Sequence, residues 1–192
     1  MNLIFDSPPY AYLGQDEAID HEHPLIQAAA SDLRHEGGDD VGYASAAFGY
    51  VRDTVTHSAD ARDRRVTWRA SDVLVQRTGL CYAKSHLYVA LLRAAGIPSG
   101  LCYQRLVNAP AGHVLHGLAA VELDGLWVRL DPRGEGVEFS AVADQLAFAV
   151  RPELGEIDYP TVFASPAPVV LDVLRSHDDC LALCAGGLPA QL

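Results

Sequence analysis

Cys81, His116 and Asp131 are the side chains whose types and order in this sequence could carry nucleophilic chemistry. Cys81 stands near the start of Gly79 to Pro98, GLCYAKSHLYVALLRAAGIP, in which Leu80, Ala83, Leu87, Tyr88, Leu91, Leu92 and Ala95 recur at three- and four-residue steps. That period predicts a helix with one broad buried face, stopped by Gly96 and Pro98. A cysteine in its first turn lies among free N–H groups at the positive end of the helix dipole, where a thiolate is stabilised. Taken alone, a free cysteine is more often a small buried hydrophobe. The downstream residues shift that balance. LHGLAAVELDGLWVRL, Leu115 to Leu130, reads as two strands joined at Asp124-Gly125, a strong two-residue hairpin signal. With Leu123 facing Leu126, Asp131 falls opposite Leu118, and His116 lies diagonal to Asp131 on the same face. Thiol, imidazole and carboxylate then supply a nucleophile, a base and an orienting acid.

Rival side chains are weaker. Cys102 sits mid-strand in Ser99 to Val107, on one face with Gln104, and starts no helix. His113 is one register step from the His116–Asp131 face pattern. His86, in the cysteine helix, could reach the cleft but is expected as an interior or flanking histidine, and His21, His23, His35 and His177 have no partner pattern. Lys84-Ser85 lacks the glycine of a phosphate loop, so Lys84 is expected on a solvated helix flank. Cys180 and Cys184, one helical turn apart, lack the neighbouring pair that a zinc site needs and read as structural.

The elements that must position these groups follow the same patterns. Residues up to Asp20 read as extended strand and loop. A short amphipathic helix runs Pro24 to Arg34, and a longer one, capped by Asp39 or Asp40, reaches Val55. His57 to Arg69 is a charged, irregular loop, solvated by default but leading into the cysteine approach and able to rim a cleft. Ser71 or Asp72 could cap a short helix before Gly79. Asn108 to Gly112 is a loop feeding the histidine strand, and Pro132 to Gly136 is a turn. Phe148 to Thr161 is irregular and could wall the cleft, and a final helix runs Val169 to about Cys184.

GLCYAKSHLYVALLRAAGIPSG resembles the cysteine motif of the transglutaminase-like superfamily, and HGLAAVELDGLWVRLDP resembles its histidine and aspartate motifs. Ala70-Ser71-Asp72-Val73-Leu74 and Arg77-Thr78-Gly79 are similar to its approach to the cysteine. The resemblance covers about residues 41 to 134; Leu118 departs from the aromatic that many members carry two positions after the histidine. It implies an α+β, papain-like fold: helices packed on an antiparallel sheet, with the nucleophile at the start of the central helix. It also implies a Cys-His-Asp triad on Cys81, His116 and Asp131. The implied chemistry is acyl transfer from an amide through a thioester, needing no metal and no cofactor. Peptide or amide hydrolysis is the first expectation. Transfer to an amine, as in a transglutaminase, is the alternative; arylamine acetyltransferases use the same triad. From another class, a binding module could keep the fold without turnover. The Cys81 N–H is the natural oxyanion donor; Tyr43, Trp68 and Gln76 are candidates for a second.

Composition narrows the partners. The 192 residues suit one domain with its own core, here residues 1–192. A net charge of −11 leaves no basic surplus for nucleic acid or anionic membrane. No stretch approaches a membrane span, the first residues lack a signal-peptide pattern, and four scattered cysteines suggest no disulfide framework. The expectation is a cytoplasmic protein acting on a peptide, protein or small amide, in an oligomeric state the sequence leaves open.

Overall fold

The computed structural model describes every residue except 109–111 and 135. The loop expected over 108–112 and the turn expected over 132–136 therefore lie partly outside the described residues. In chain order the elements are β1 (Ile4–Phe5), a 3₁₀ turn at Pro9–Leu13, α1 (Pro24–Gly37), α2 (Asp40–Thr54), β2 (Thr56–His57), α3 (Ala70–Gln76), β3 (Thr78–Gly79) and α4 (Cys81–Ala94). There follow β4 (Ser99–Val107), β5 (His113–Leu123), β6 (Leu126–Leu130), a 3₁₀ turn at Pro152–Leu154, β7 (Ile157–Asp158), β8 (Thr161–Val162), α5 (Pro168–Ser176) and α6 (Cys180–Cys184).

The main sheet is antiparallel, in the order β6-β5-β4-β7. Leu123 pairs with Leu126 around Asp124 and Gly125, both at positive φ, as a tight primed turn requires. Two short parallel pairs flank it, β1 with β8 and β2 with β3. The larger core lies between α1, α2, α4 and the sheet face carrying Leu101, Tyr103, Leu115, Ala119 and Val121. A smaller cluster covers the other face, with Tyr12, Cys102, Leu118 and Val162. The expected α+β architecture is present, helices packed on an antiparallel sheet.

α4 is buried all round from Cys81 to Arg93, not on one face. The apolar period marks the stripe facing the sheet, but α1, α2 and α3 close over the rest, so the polar side chains need internal partners. Lys84 is therefore buried rather than solvated, its Nζ donating to the carbonyls of Val55 (2.5 Å) and Arg52 (3.2 Å) at the end of α2. Burial lowers its pKa to about 8. Arg93 donates to the carbonyls of Ser99, Gly14 and Ala164, tying the other end of α4 to the chain around it.

Two helix expectations change. Ser71 and Asp72 lie inside α3, after Arg69 at its N-terminal boundary, because the Ser71 hydroxyl is taken by Asp20. The expected C-terminal helix breaks into α5 and α6, since Asp179 accepts from the N–H groups of Leu181 and Ala182 and starts a new helix.

Candidate active site

α4 begins at Cys81 because Leu80 is extended (φ −67°, ψ 169°), and no side chain caps the first turn. Its N–H groups are thus left free to meet a ligand. The cysteine can sit against β5 because of Gly117. A Cβ there would come within 2.7 Å of the Tyr82 ring and 3.2 Å of its Cα, so a side chain would push α4 off the strand. Close approach lets the Gly117 N–H donate to Cys81 Sγ at 3.4 Å and the Tyr82 hydroxyl donate to the Leu115 carbonyl.

The hairpin register continues past β6 and brings His116 to Asp131. His116 Nε2 lies 2.6 Å from Asp131 Oδ2, with both side chains buried. A carboxylate only accepts, so Nε2 carries the hydrogen and Nδ1 is left for other contacts. Asp131 is held in turn: Oδ1 accepts the Arg133 N–H at 3.0 Å, and Oδ2 also accepts the Ala147 N–H at 3.2 Å. The Phe148 ring meets the imidazole edge-on, 5.0 Å between centroids, and fixes its plane.

Electrostatics follow the geometry. Burial pushes the Cys81 thiol up, but the His116 imidazole, and after it His57, outweigh burial and hold the thiol well below its ordinary value. Burial pushes His116 down, yet Cys81 and Asp131 on its two sides together raise it well above an ordinary imidazole. The site can therefore hold a thiolate beside an imidazolium. The cleft over it has a volume of about 660 Å³. Leu80, Leu106, Val114 and Phe148 form its apolar wall, and Arg133 and Arg151 stand at its rim. Parts of the 148–161 stretch line it, as expected, although Ile157–Asp158 of that stretch is β7 and joins the main sheet.

The rival residues go elsewhere. His113 faces Arg105 (3.2 Å) and the Leu154 carbonyl (2.9 Å). His86 is interior, against the Trp68 carbonyl at 2.8 Å. Cys102 is in the outer cluster, where burial pushes its thiol up to about 12. Cys180 and Cys184 have sulfurs 3.9 Å apart, and Cys184 also reaches the cleft wall. Among the described residues no group of three His, Cys, Asp or Glu side chains is placed to hold a metal ion. No helix among them is long and apolar enough to cross a membrane.

None of the three side chains expected as a second oxyanion donor lines the cleft. Tyr43 is spent on the Leu91 carbonyl, Trp68 lies under Arg69 and Arg175, and Gln76 ends α3. Sequence reasoning missed two residues that shape the site: His57, which lines the cleft, and Gly117, which lets Cys81 and Tyr82 close on β5. The only hint for His57 was its place at the start of the loop leading toward the cysteine.

Comparison with known proteins agrees with this geometry at the level of fold. Residues 27–132, more than half the chain, match the model of the transglutaminase-like superfamily. No curated protein matches the chain. A candidate cysteine protease from Cytophaga hutchinsonii superposes with a TM-score of 0.52 at 19% identity, over 67% of this chain and 43% of that one. The periplasmic domain of TgpA from Pseudomonas aeruginosa gives 0.46 at 19% identity, over 66% and 48%. A candidate protease from Parabacteroides distasonis gives 0.45 at 13% identity, over 69% and 31%. The chain spans less than half the length of each of these structures.

Proposed function

The chain belongs to the transglutaminase-like superfamily, and from that premise we propose that it catalyses thiol-dependent acyl transfer from an amide, with Cys81 as nucleophile. His116, through Nδ1, takes the thiol proton and later returns a proton to the leaving amine. Asp131 holds the imidazole by Nε2 and supports its positive charge. The observation that carries the reading is the buried 2.6 Å contact between His116 and Asp131 beside a helix-start thiol. A buried imidazole–carboxylate pair alone could be structural. Its position against a cysteine whose thiol it lowers supports a chemical role.

The acceptor we propose is water, making the reaction peptide or amide hydrolysis. A cleft of about 660 Å³, with apolar walls and the ion-paired Arg133 and Arg151 among its lining, is of ligand size and supports an acyl donor of mixed character. Four free thiols support a reducing compartment such as the cytoplasm. The test is a panel of peptide amides and glutamine peptides incubated with and without a primary amine, comparing wild type with Cys81→Ala. Cys81-dependent release of acid product supports hydrolysis. Cys81-dependent amine incorporation in its place makes the protein a transferase, and no Cys81-dependent product on any donor leaves the fold serving as a binding module.

A further inference from the structure

Acyl transfer at Cys81 places negative charge on the acyl oxygen, and the Cys81 N–H is one donor where preorganised sites commonly offer two. The direction of the second donor follows from the first steps of the reaction. The leaving amine must face His116, which protonates it, so the acyl oxygen turns toward the opposite wall. Of the β2–β3 pair, the side chain that lines the cleft with Cys81 and His116 is His57, in register with Gly79, two residues before Cys81. The His57 side chain is only 10% exposed, yet it lines the same cleft as Cys81. Its Nδ1 is buried without a hydrogen-bond partner; Asp60 Oδ2 is 3.4 Å away but outside bonding geometry. The ring nitrogen left to the cleft is Nε2.

The backbone under His57 is held firmly. Ser58 N–H donates to the Gly79 carbonyl and Thr56 N–H to the Arg77 carbonyl, and the Ser58 and Thr78 hydroxyls are 3.0 Å apart. Lys84 of α4 grips the Val55 carbonyl just before β2. Cys81 and His57 are thus fixed to one another through two routes, as electrostatic preorganisation requires.

We propose that His57 Nε2–H is the second oxyanion donor of this site, binding the acyl oxygen together with the Cys81 backbone N–H. The assignment rests on the acyl-transfer reading above. As the sulfur–carbon bond forms, the carbonyl π pair moves onto oxygen, and His57 stabilises it without giving up its proton. When the intermediate collapses the pair returns, the carbon–nitrogen bond breaks, and the amine leaves with the proton held by His116.

The experiment compares two reactions of the same thiol. Acylation by p-nitrophenyl acetate passes through an oxyanion, and alkylation by iodoacetamide does not. Both rates are measured on the high-pH plateau, where the thiol is fully ionised, for wild type, His57→Phe and His57→Gln. Loss of one oxyanion donor should slow acylation about 10²–10³-fold in His57→Phe, leaving alkylation within about threefold. His57→Gln, which keeps an N–H donor, should recover at least about tenfold of that loss. Equal falls in both rates would reduce His57 to a neighbour that tunes the thiol, and unchanged acylation would remove it from the site; either overturns the assignment. If circular dichroism shows His57→Phe unfolded, His57→Ala is read by the same criteria. A wild type that releases no more p-nitrophenolate than Cys81→Ala overturns the acyl-transfer reading itself, and the His57 assignment with it.

Discussion

Cys81 and Cys102 are both buried, on opposite sides of one sheet, and their thiols move in opposite directions. Around Cys102 the neighbours are Tyr12, Leu118, Ala120 and Val162, and desolvation dominates. The Arg129 guanidinium pulls that thiol down, but Arg129 is already paired with Asp144 and Asp158, whose charges push it back up. Around Cys81 two imidazoles and the Gly117 N–H face the sulfur, and they outweigh a burial that is nearly as complete. Burial by itself makes a cysteine inert. Oriented donors hold a buried thiol low instead, and at Cys81 they gather where the start of α4 meets β5 and β2.

The sharpest way to break this contrast is to delete each sulfur. Cys81→Ala should remove Cys81-dependent turnover completely and abolish rapid alkylation, with the far-ultraviolet circular dichroism spectrum unchanged. Steady-state rates and a thermal melt on one preparation check both halves. Residual turnover near wild type would move the chemistry to another residue.

Next in size is the carboxylate. Asp131→Asn keeps the shape but has one acceptor oxygen where the carboxylate uses two, so it can accept from Arg133 on one side or from Ala147 and His116 on the other, not from both, and it cannot balance an imidazolium. In a serine triad the equivalent change costs about 10⁴ in kcat. A thiol ionises more readily, so a loss of about 10²–10⁴ is expected here. A folded Asn variant turning over at the wild-type rate would make Asp131 a turn residue and leave a cysteine–histidine pair.

The elements that make this contrast were unequally visible in the sequence. The boundaries of α4 and the register Leu123↔Leu126 were legible because both are local: an apolar period, a stop at Gly96, a two-residue turn. The meeting of His116 with Asp131 follows from that register by counting. Lys84 was misplaced because its burial depends on α2 closing over α4, a contact between distant segments that leaves no periodic trace. The approach of His57 was hidden for the same reason, since β2 and β3 are two residues long and pair across a charged loop. Gly117 reads as a weak point in a strand until the Tyr82 ring is seen against it. Local chemistry was visible, and tertiary closure was not.

The pH dependence of reactivity sharpens the comparison further. The Cys81 thiol is held low and His116 high, so the thiolate–imidazolium pair should persist between those two titrations, spanning neutral pH. Alkylation by iodoacetamide should therefore stay fast at pH 6. Removing the imidazole in His116→Ala returns the thiol to about 8.5 or above, so its rate at pH 6 should fall by about 10² or more. His113→Ala should leave the profile unchanged, because that ring faces Arg105 and the Leu154 carbonyl. A profile that shifts in the His113 variant and not in the His116 variant would reverse the assignment of the base.

The smallest expected effect tests the other side of the sheet. Cys102→Ala removes one sulfur from a cluster of few large side chains, which can close over a small void only in part. The lost transfer energy and the small cavity together should cost about 1–2 kcal/mol in a denaturant titration. Turnover and the alkylation profile of Cys81 should stay within about twofold of wild type, since that modest repacking is the same order as an ordinary core substitution. Leu118 makes the experiment informative. It packs in the same cluster as Cys102 while standing two residues from His116 on β5, so any slackening of the outer cluster has a short path to the imidazole. Cys102→Ser serves as a second probe, placing a hydroxyl in an apolar site and costing more stability for nearly the same volume. If either variant lost turnover in proportion to its loss of stability, the outer cluster and the site would be one cooperative unit, and the chemistry of Cys81 would depend on packing along the strand face that Leu118 shares with His116.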